Sequence, residues 1–327
     1  MGREKFLALA PFALVAALAA GVALAGFIAS PHARSEPSGT TAPNASPAQT
    51  VAISPTPEAT APPSSAPSTP ATTSTPKSNE PGAMLRVHNE LRAAIGAPAV
   101  RGDDRATAAA QHHAEYLARA GAIGHEETPG QPGFTGATVR DRLAAQGYAD
   151  AIASEVAASS DSGTEDVRFL WDLPYHRLGL MHPHAVVAGW GHAEIGGHTA
   201  TVGVIVFDFA AAAPERVRSP AAGQRVPGSW AGDETPDALP AGAARPVGYP
   251  VMVVYSRAPS VDLKAAKMTN ASGGDVAVSV VPQIYEPDYV AIVPTAPLAA
   301  GARYRVRLEL SVGGNDVVDE WEFETER

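Results

Sequence analysis

The sequence has 327 residues, 45% of them hydrophobic, and its 34 acidic and 24 basic residues give a net charge of −10 at pH 7. This acidic balance argues against a nucleic-acid backbone or an anionic membrane surface as the main partner. The chain contains no cysteine, which excludes a disulfide framework and a thiolate nucleophile and leaves His, Asp and Glu as the side chains for any metal site.

The first 30 residues predict an export signal or a membrane anchor. Arg3 and Lys5 precede an uncharged apolar run from Phe6 to Ala29, which is long enough to cross a bilayer core of about 30 Å. Ala-Leu-Ala at 23–25 is compatible with a cleavage site, so a removed signal peptide and a retained anchor both remain open. Either one places the rest of the chain outside the cytoplasm, with this segment as its only membrane contact.

Residues 31–81 predict a disordered linker. Pro, Ser, Thr and Ala dominate this stretch, and it has almost no large apolar side chains to bury. In polyproline II form, at roughly 3.1 Å per residue, such a linker reaches on the order of 150 Å. A reach of this size suits a domain held away from a cell envelope.

Residues 82–211 predict a domain of the α+β class. Apolar residues recur at helical spacing from Met84 to Ile95, and a second helix is expected between an Asp103 cap and Gly121.

Two further helices are expected in this domain, at 138–146 and at 164–181, and Pro174 should interrupt the second of them. The stretch 185–209 then reads as an antiparallel hairpin, because it is rich in β-branched residues around a Gly-Gly turn.

The pattern changes in the last third of the chain. Residues 212–245 are rich in Ala, Pro and Gly without periodicity, which predicts a connector. Residues 246–327 alternate apolar and polar positions, most clearly at 302–312, and predict a small all-β sandwich. Trp321 and Phe323 are expected in its core.

Three ionisable residues stand out as candidates for chemistry: His125, Glu155 and His176. Glu155 lies in an apolar stretch, where an unpaired carboxylate would be costly to bury, so it needs a partner. His125 and His176 could bind zinc, with Glu155 as general base to a bound water. The spacing lacks the H-E-x-x-H pattern, so a structural hydrogen-bond network stays open as the alternative.

Other ionisable residues are expected to be structural. His112 and His113 lie in mid-helix, where at most one can face inward, and they are assigned to packing or to the surface. Asp141 and Arg142 are expected to form a salt bridge with each other on the short helix. Arg177 has the planar fork that suits a carboxylate or backbone carbonyls.

Seven short motifs follow one another in the chain, and together they resemble the bacterial CAP family, also called SCP or PR-1-like proteins, over residues 82–210. They are N-x-L-R at 89–92, G-x-I-x-H at 121–125, P-G-F at 132–134, D-R with G-Y at 141–142 and 147–148, S-E-V at 154–156, P-Y-H-R at 174–177, and Pro183 followed by G-W-G at 189–191.

The resemblance implies an α-β-α sandwich with a central cleft, and it assigns His125, Glu155 and His176 to that cleft. Pro174 would then aim His176 into the cleft opposite the other two. Some members of the family bind sterols or other lipids, and some bind divalent metals. Leu173 stands where many members have Ser, which removes a polar neighbour of His176 and weakens the case for tight metal binding. The strands after residue 246 resemble an Ig-like module of bacterial surface proteins.

These observations favour a surface-anchored or secreted protein that binds an envelope component or a small apolar ligand through the cleft. The alternative is a metal-assisted hydrolase of peptide, cell-wall or ester bonds that uses the same residues. A purely adhesive role, independent of the cleft, is a third hypothesis.

Overall fold

The computed structural model describes residues 78–327, which hold five helices and three sheets. The predicted export segment at 1–30 and the predicted linker, as far as residue 77, lie outside the described residues. Within the described part, no helix combines the length and the apolar character needed to cross a membrane.

An α+β domain comes first. Its elements are α1 Pro81–Ala94, β1 Arg101–Gly102, α2 Asp104–Ala120, α3 Val139–Ala145, β2 Ile152–Ala158, α4 Gly163–Asp172, α5 Pro174–Met181, β3 Ala185–Ile195 and β4 His198–Phe207. The four strands form sheet A in the order β1-β3-β4-β2, with β1 parallel to β3 and the other pairs antiparallel.

Local sequence explains where these helices begin and end. The Asp103 side chain accepts hydrogen bonds from the first turn of α2, and Gly121 ends that helix in the left-handed region at φ 63°. Pro174 divides the helical stretch predicted at 164–181 into α4 and α5, because a proline at the first position of a helix cannot continue the preceding one. The predicted interruption is therefore confirmed.

Sheet A lies between two layers of helices. Successive residues of β2 point to opposite faces: Val156 packs with α1, α4 and α5, whereas Ala157 packs with α2 and α3. Helix α2 approaches β3 very closely, since a Cβ atom built on Gly189 would lie 2.1 Å from the carbonyl carbon of Ala106. The G-W-G motif thus supplies the space for this contact, and the domain is the α-β-α sandwich that was expected.

An all-β region follows, built from two packed sheets. Sheet B has the order β10-β11-β7-β5 and sheet C has the order β6-β13-β12-β8-β9. The strands are β5 Arg216–Ser219, β6 Arg225–Val226, β7 Val251–Tyr255, β8 Val261–Asn270, β9 Asp275–Val276, β10 Val278–Val280, β11 Tyr289–Pro294, β12 Arg303–Val312 and β13 Asn315–Thr325. Trp321 and Phe323 are buried in the core between the two sheets, as predicted.

The β region begins earlier than the sequence suggested. Strands β5 and β6 lie inside the stretch 212–245 assigned to a connector, yet β5 pairs with β7 and β6 pairs with β13. At four and two residues they are too short to show an alternating pattern. The remaining connector contains a loop at 231–246, the connector loop, which is closed by hydrogen bonds between Trp230 and Val247.

The α+β domain and the β region share one hydrophobic core. Trp171 and Leu178, from the α4–α5 layer, belong to the same buried cluster as Met252, Val254 and Ala291 of sheet B. The layers therefore run from α2 and α3 through sheet A, the second helix layer and sheet B to sheet C. This continuous packing fixes the β region against α4 and α5.

Candidate functional site

The N-x-L-R motif holds the end of α5 in place. Asn89 exchanges two hydrogen bonds with the backbone of Val100, at 2.9 and 2.8 Å. Arg92 is completely buried and donates to the carbonyl oxygens of Leu180, at 2.6 Å, and of His182, at 3.2 Å. These residues support the fold and take no part in the candidate site.

His125 and Glu155 come together at the edge strand β2. His125 Nδ1 lies 3.2 Å from Glu155 Oε1. The Glu155 side chain is 3% exposed, whereas the His125 side chain is 30% exposed. Because an ionised carboxylate only accepts hydrogen bonds, Nδ1–H of His125 is the donor in this contact.

Arg142 and His113 neutralise the buried carboxylate. Arg142 Nη2 lies 2.7 Å from Glu155 Oε2, and His113 Nε2 lies 3.4 Å from Glu155 Oε1. His113 Nδ1 also lies 3.0 Å from Glu127 Oε1. We call His113, Glu127, Arg142 and Glu155 the Glu155 network; all four side chains are 3% exposed or less.

The prediction of a salt bridge between Asp141 and Arg142 is wrong. The carboxylate of Asp141 accepts hydrogen bonds from the backbone and hydroxyl of Thr138 and forms a capping box at the start of α3. Arg142, the next residue, lies on the inner face of the helix and reaches Glu155. A one-residue step on a helix turns the side chain by roughly 100°, so neighbours cannot share a face.

Glu127 ties the loop after α2 to the same network. Its carboxylate accepts hydrogen bonds from the backbone of Thr135 and of Gly136. Burial alone would raise the pKa of Glu127, but the hydrogen bonds from His113 and Thr135 and the charge of Arg142 lower it overall. The loop that carries His125 is therefore fixed at both ends.

The pKa of Glu155 is strongly lowered. Burial on its own raises this pKa, but the positive charges of His113 and Arg142 and the hydrogen bond from His125 outweigh burial and bring the value to about 2. Glu155 is thus a permanent carboxylate at neutral pH, and it orients the His125 ring.

The P-Y-H-R motif contacts the C-terminal part of the chain through each of its last three side chains. The Tyr175 hydroxyl donates to the carbonyl of Pro282 at 3.1 Å, and Arg177 donates to the carbonyl of Pro250 at 2.9 Å. His176 pairs with Glu234, from the connector loop, at 2.7 Å between Nδ1 and Oε1. The motif therefore anchors the β region and the connector on α5.

The structure joins two of the three predicted site residues and places the third in another ion pair. Glu155 faces α2 and α3, while its neighbour Ser154 faces α5: a Cβ atom built on Gly179 would lie 2.5 Å from Ser154 Oγ. His176 lies on α5, in the layer on the opposite face of sheet A. A single cleft shared by His125, Glu155 and His176 stays a prediction.

The residues do not fit the expected zinc site. His125 contacts Glu155 on the α2–α3 face of sheet A, whereas His176 lies on α5, on the opposite face. Among residues 78–327, no group of three or more His, Asp or Glu side chains is arranged to hold a metal ion.

Sequence reasoning missed several members of these ion pairs. His113 lies one helical turn from Ala109 and Ala110, and one turn from Leu117, on the buried face of α2. Helix periodicity therefore indicated that the His113 side chain points inward. Glu234 has no such signal, because it is 58 residues from His176 and lies in an irregular stretch.

The match of the sequence to a known family agrees with the observed fold. Residues 85–209 match the model of the CAP family, described as the cysteine-rich secretory protein family. This part of the chain is a CAP domain, as its motifs indicated. No curated protein matches the chain.

Among solved structures, an extracellular protein of Bacillus anthracis that contains an SCP domain is 18% identical, with 44% of this chain and 45% of that chain covered and a TM-score of 0.34. This chain therefore spans less than half of the Bacillus protein. An outer surface protein of Borrelia burgdorferi is 18% identical, with 38% and 88% covered and a TM-score of 0.33.

CopC of Methylosinus trichosporium is also 18% identical, with 33% of this chain and 88% of that chain covered and a TM-score of 0.24. The Ig-like assignment of the β region stays a prediction.

Proposed function

We propose that this chain is an extracytoplasmic CAP-domain protein that binds an envelope component or a small apolar ligand on the His125 side of its CAP domain. The observation that carries the proposal is that the buried Glu155 carboxylate stays ionised and has a partner on each oxygen. Both of its carboxylate oxygens contact cationic or imidazole partners, and its pKa is lowered to about 2. Such a group holds an imidazole in a fixed orientation, and a fixed imidazole suits recognition of a polar group on a ligand.

The loop after α2 supports a ligand with an apolar part. Phe134 lies on the same loop as His125 and is 38% exposed. Glu127 fixes this loop through the backbone of Thr135 and Gly136. An imidazole and an aromatic ring on one rigid loop suit a molecule that has both a polar group and an apolar body.

The location outside the cytoplasm rests on the N-terminal sequence. The basic flank, the apolar run from Phe6 to Ala29 and the long Pro/Ser/Thr/Ala-rich stretch favour export. Cleavage of the apolar run would give a secreted protein, and its retention would give an anchored one.

The alternative of a metal-assisted hydrolase has less support. It needs Glu155 as a general base, and a general base works best when its pKa lies near the operating pH. A pKa of about 2 makes Glu155 a weak base. The same alternative needs His125 and His176 as joint ligands, and these residues lie in separate ion pairs.

The test uses the full chain with two probes, a naturally fluorescent sterol and insoluble peptidoglycan. We expect one probe to bind the wild-type protein, and we expect His125→Ala to weaken that binding by about tenfold, the loss of one good polar contact. His198→Ala is the matched control, because His198 is an exposed histidine on the β3–β4 hairpin. Binding of neither probe, or equal binding by His125→Ala and wild type, would overturn the proposal.

A further inference from the structure

A cavity lies between the connector loop and sheet B, and we call it the loop cavity. Its volume is about 330 Å³, and it is bounded by residues 239–244 of the loop on one side and by Ser279, Val293 and Thr295 on the other. An apolar cavity of about 150 Å³, engineered into another protein, is large enough to bind benzene. By that measure the loop cavity holds a molecule with on the order of ten non-hydrogen atoms.

The loop side of the cavity has a fixed shape. Leu239 is buried in the core, and Arg245 donates to a backbone carbonyl of the same loop. Between them, the N–H of Ala243 donates to the carbonyl of Pro240 at 3.0 Å, and Gly242 has a φ of 78°, as in a type II turn. This turn forms one wall of the cavity and is already ordered before any ligand binds.

The side formed by sheet B is fixed as well. Val293 of β11 is completely buried and pairs with Ser279 of the edge strand β10. The N–H of Thr295 donates to the carbonyl of Ala277 at 2.9 Å. Backbone hydrogen bonds thus hold both walls of the cavity, so a ligand would not have to order either wall on binding. This lowers the entropic cost of association.

The lining of the loop cavity selects neutral, mainly apolar molecules. Residues 241–244 of the loop are Ala-Gly-Ala-Ala, whose short side chains leave the space open. Leu239, Val247 and Val293 add larger apolar surface, and no ionisable side chain lines the cavity. A charged ligand would lose water there without gaining a counter-charge, which is costly. Ligand sites in proteins commonly combine such an apolar lining with a few polar groups.

Two hydroxyl groups supply the polar part of the lining. Ser279 lines the cavity, and within residues 78–327 its hydroxyl has no hydrogen-bond partner. The Thr295 hydroxyl lies 3.4 Å from the carbonyl oxygen of Ala277, which is a long contact. The Ser279 hydroxyl is therefore the group that is available to a polar atom of a ligand.

We propose that the loop cavity binds a small neutral molecule that has an apolar body and one hydrogen-bonding group, as a phenol or a short alcohol has. The apolar body lies between the loop and Val293, and the polar group bonds to the hydroxyl of Ser279. The site belongs to the connector and the β region, so the inference does not depend on the function proposed for the His125 side of the CAP domain.

The first test measures the binding of p-cresol to the full chain by titration calorimetry. We expect saturable binding with a Kd of about 1 mM or lower, as suits a ligand of this size. Ala243→Leu reduces the space in the cavity and should weaken binding by about tenfold or more. 4-Methylbenzoate has a similar shape but a negative charge, and it should not bind. Absence of saturable p-cresol binding, equal binding by Ala243→Leu and wild type, or equal binding of 4-methylbenzoate would overturn the proposal.

A second variant covers the case in which Ala243→Leu does not fold. Ser279→Ala removes only the hydroxyl, so it should weaken p-cresol binding by about fivefold, the loss of one hydrogen bond, and leave toluene binding unchanged. Ser311→Ala on β12 is the matched control and should change neither. Equal p-cresol binding by Ser279→Ala and wild type would overturn the proposal. His125→Ala should bind p-cresol like wild type, and a loss of binding in that variant would place the ligand on the His125 side and overturn it as well.

Discussion

Glu155 on β2 and Arg142 on α3 form an ion pair of 2.7 Å in which both side chains are almost fully buried. Buried charges are tolerated only where partners replace the water they lose. In this domain the partners come from two helices on one face of sheet A, so the pair joins α3 and α2 to the edge strand.

Removing Arg142 should strongly destabilise the protein. Arg142→Ala leaves Glu155 and Glu127 as buried carboxylates with His113 as their main counter-charge. The loss of one partner of a buried pair typically costs about 3–5 kcal/mol. Denaturant unfolding of the full chain measures this directly.

The matched control for that measurement is Arg86→Ala, which removes an arginine from an exposed i,i+4 pair with Glu90. Such exposed pairs contribute about 0.3–0.5 kcal/mol. An Arg142→Ala cost as small as that of the control would contradict a structural role for the Glu155 network.

The Glu155 carboxylate should also make stability depend on pH. Its pKa is lowered from 4.5 in the unfolded chain to about 2 in the folded one, so its contribution is complete above pH 4.5 and is lost as the pH falls toward 2. Glu155→Gln should therefore be less stable at neutral pH and should lose less stability over that acidic range. Thermal unfolding at a series of pH values provides the comparison, and parallel curves for the two proteins would contradict this assignment.

Much of the fold could be predicted from the sequence, because periodicity and caps report on local structure. The apolar spacing from Met84 to Ile95, the Asp103 cap and the alternation at 302–312 each led to the observed element. Motif order identified the domain class where no single motif was specific. These signals are all contained within short windows of the chain.

The partners in the candidate sites depend on long-range packing, and this is why they were harder to predict. The need of Glu155 for a partner followed from the cost of burying a charge, but that argument could not select Arg142 over other cations. Leu173 was a visible departure from the family, and the structure relates it to Glu234, which caps the helix from a distant loop. The missing capping group at Leu173 thus indicates that a distant residue caps the helix. It does not identify that residue.

The chain contains no cysteine, so no disulfide bond stabilises this fold. A CAP domain without disulfides has to obtain its stability from other contacts. Here the second helix layer is buried beneath sheet B, and Arg177 is completely buried at that boundary. The β region therefore covers the α4–α5 layer of the CAP domain.

Arg177 should couple the unfolding of the two parts. Its guanidinium donates to the carbonyls of Trp171 and Pro250 and lies 4.7 Å from the ring centre of Tyr249, so it binds both sides of the boundary. Arg177→Ala leaves these buried carbonyls unpaired, at an expected cost of about 3 kcal/mol or more. Calorimetry should show one transition for the wild type and a lower, broadened or divided transition for the variant. Arg303→Ala, on the exposed face of β12, is the control and should keep the single transition. An unchanged transition in Arg177→Ala would mean that apolar packing alone joins the two parts.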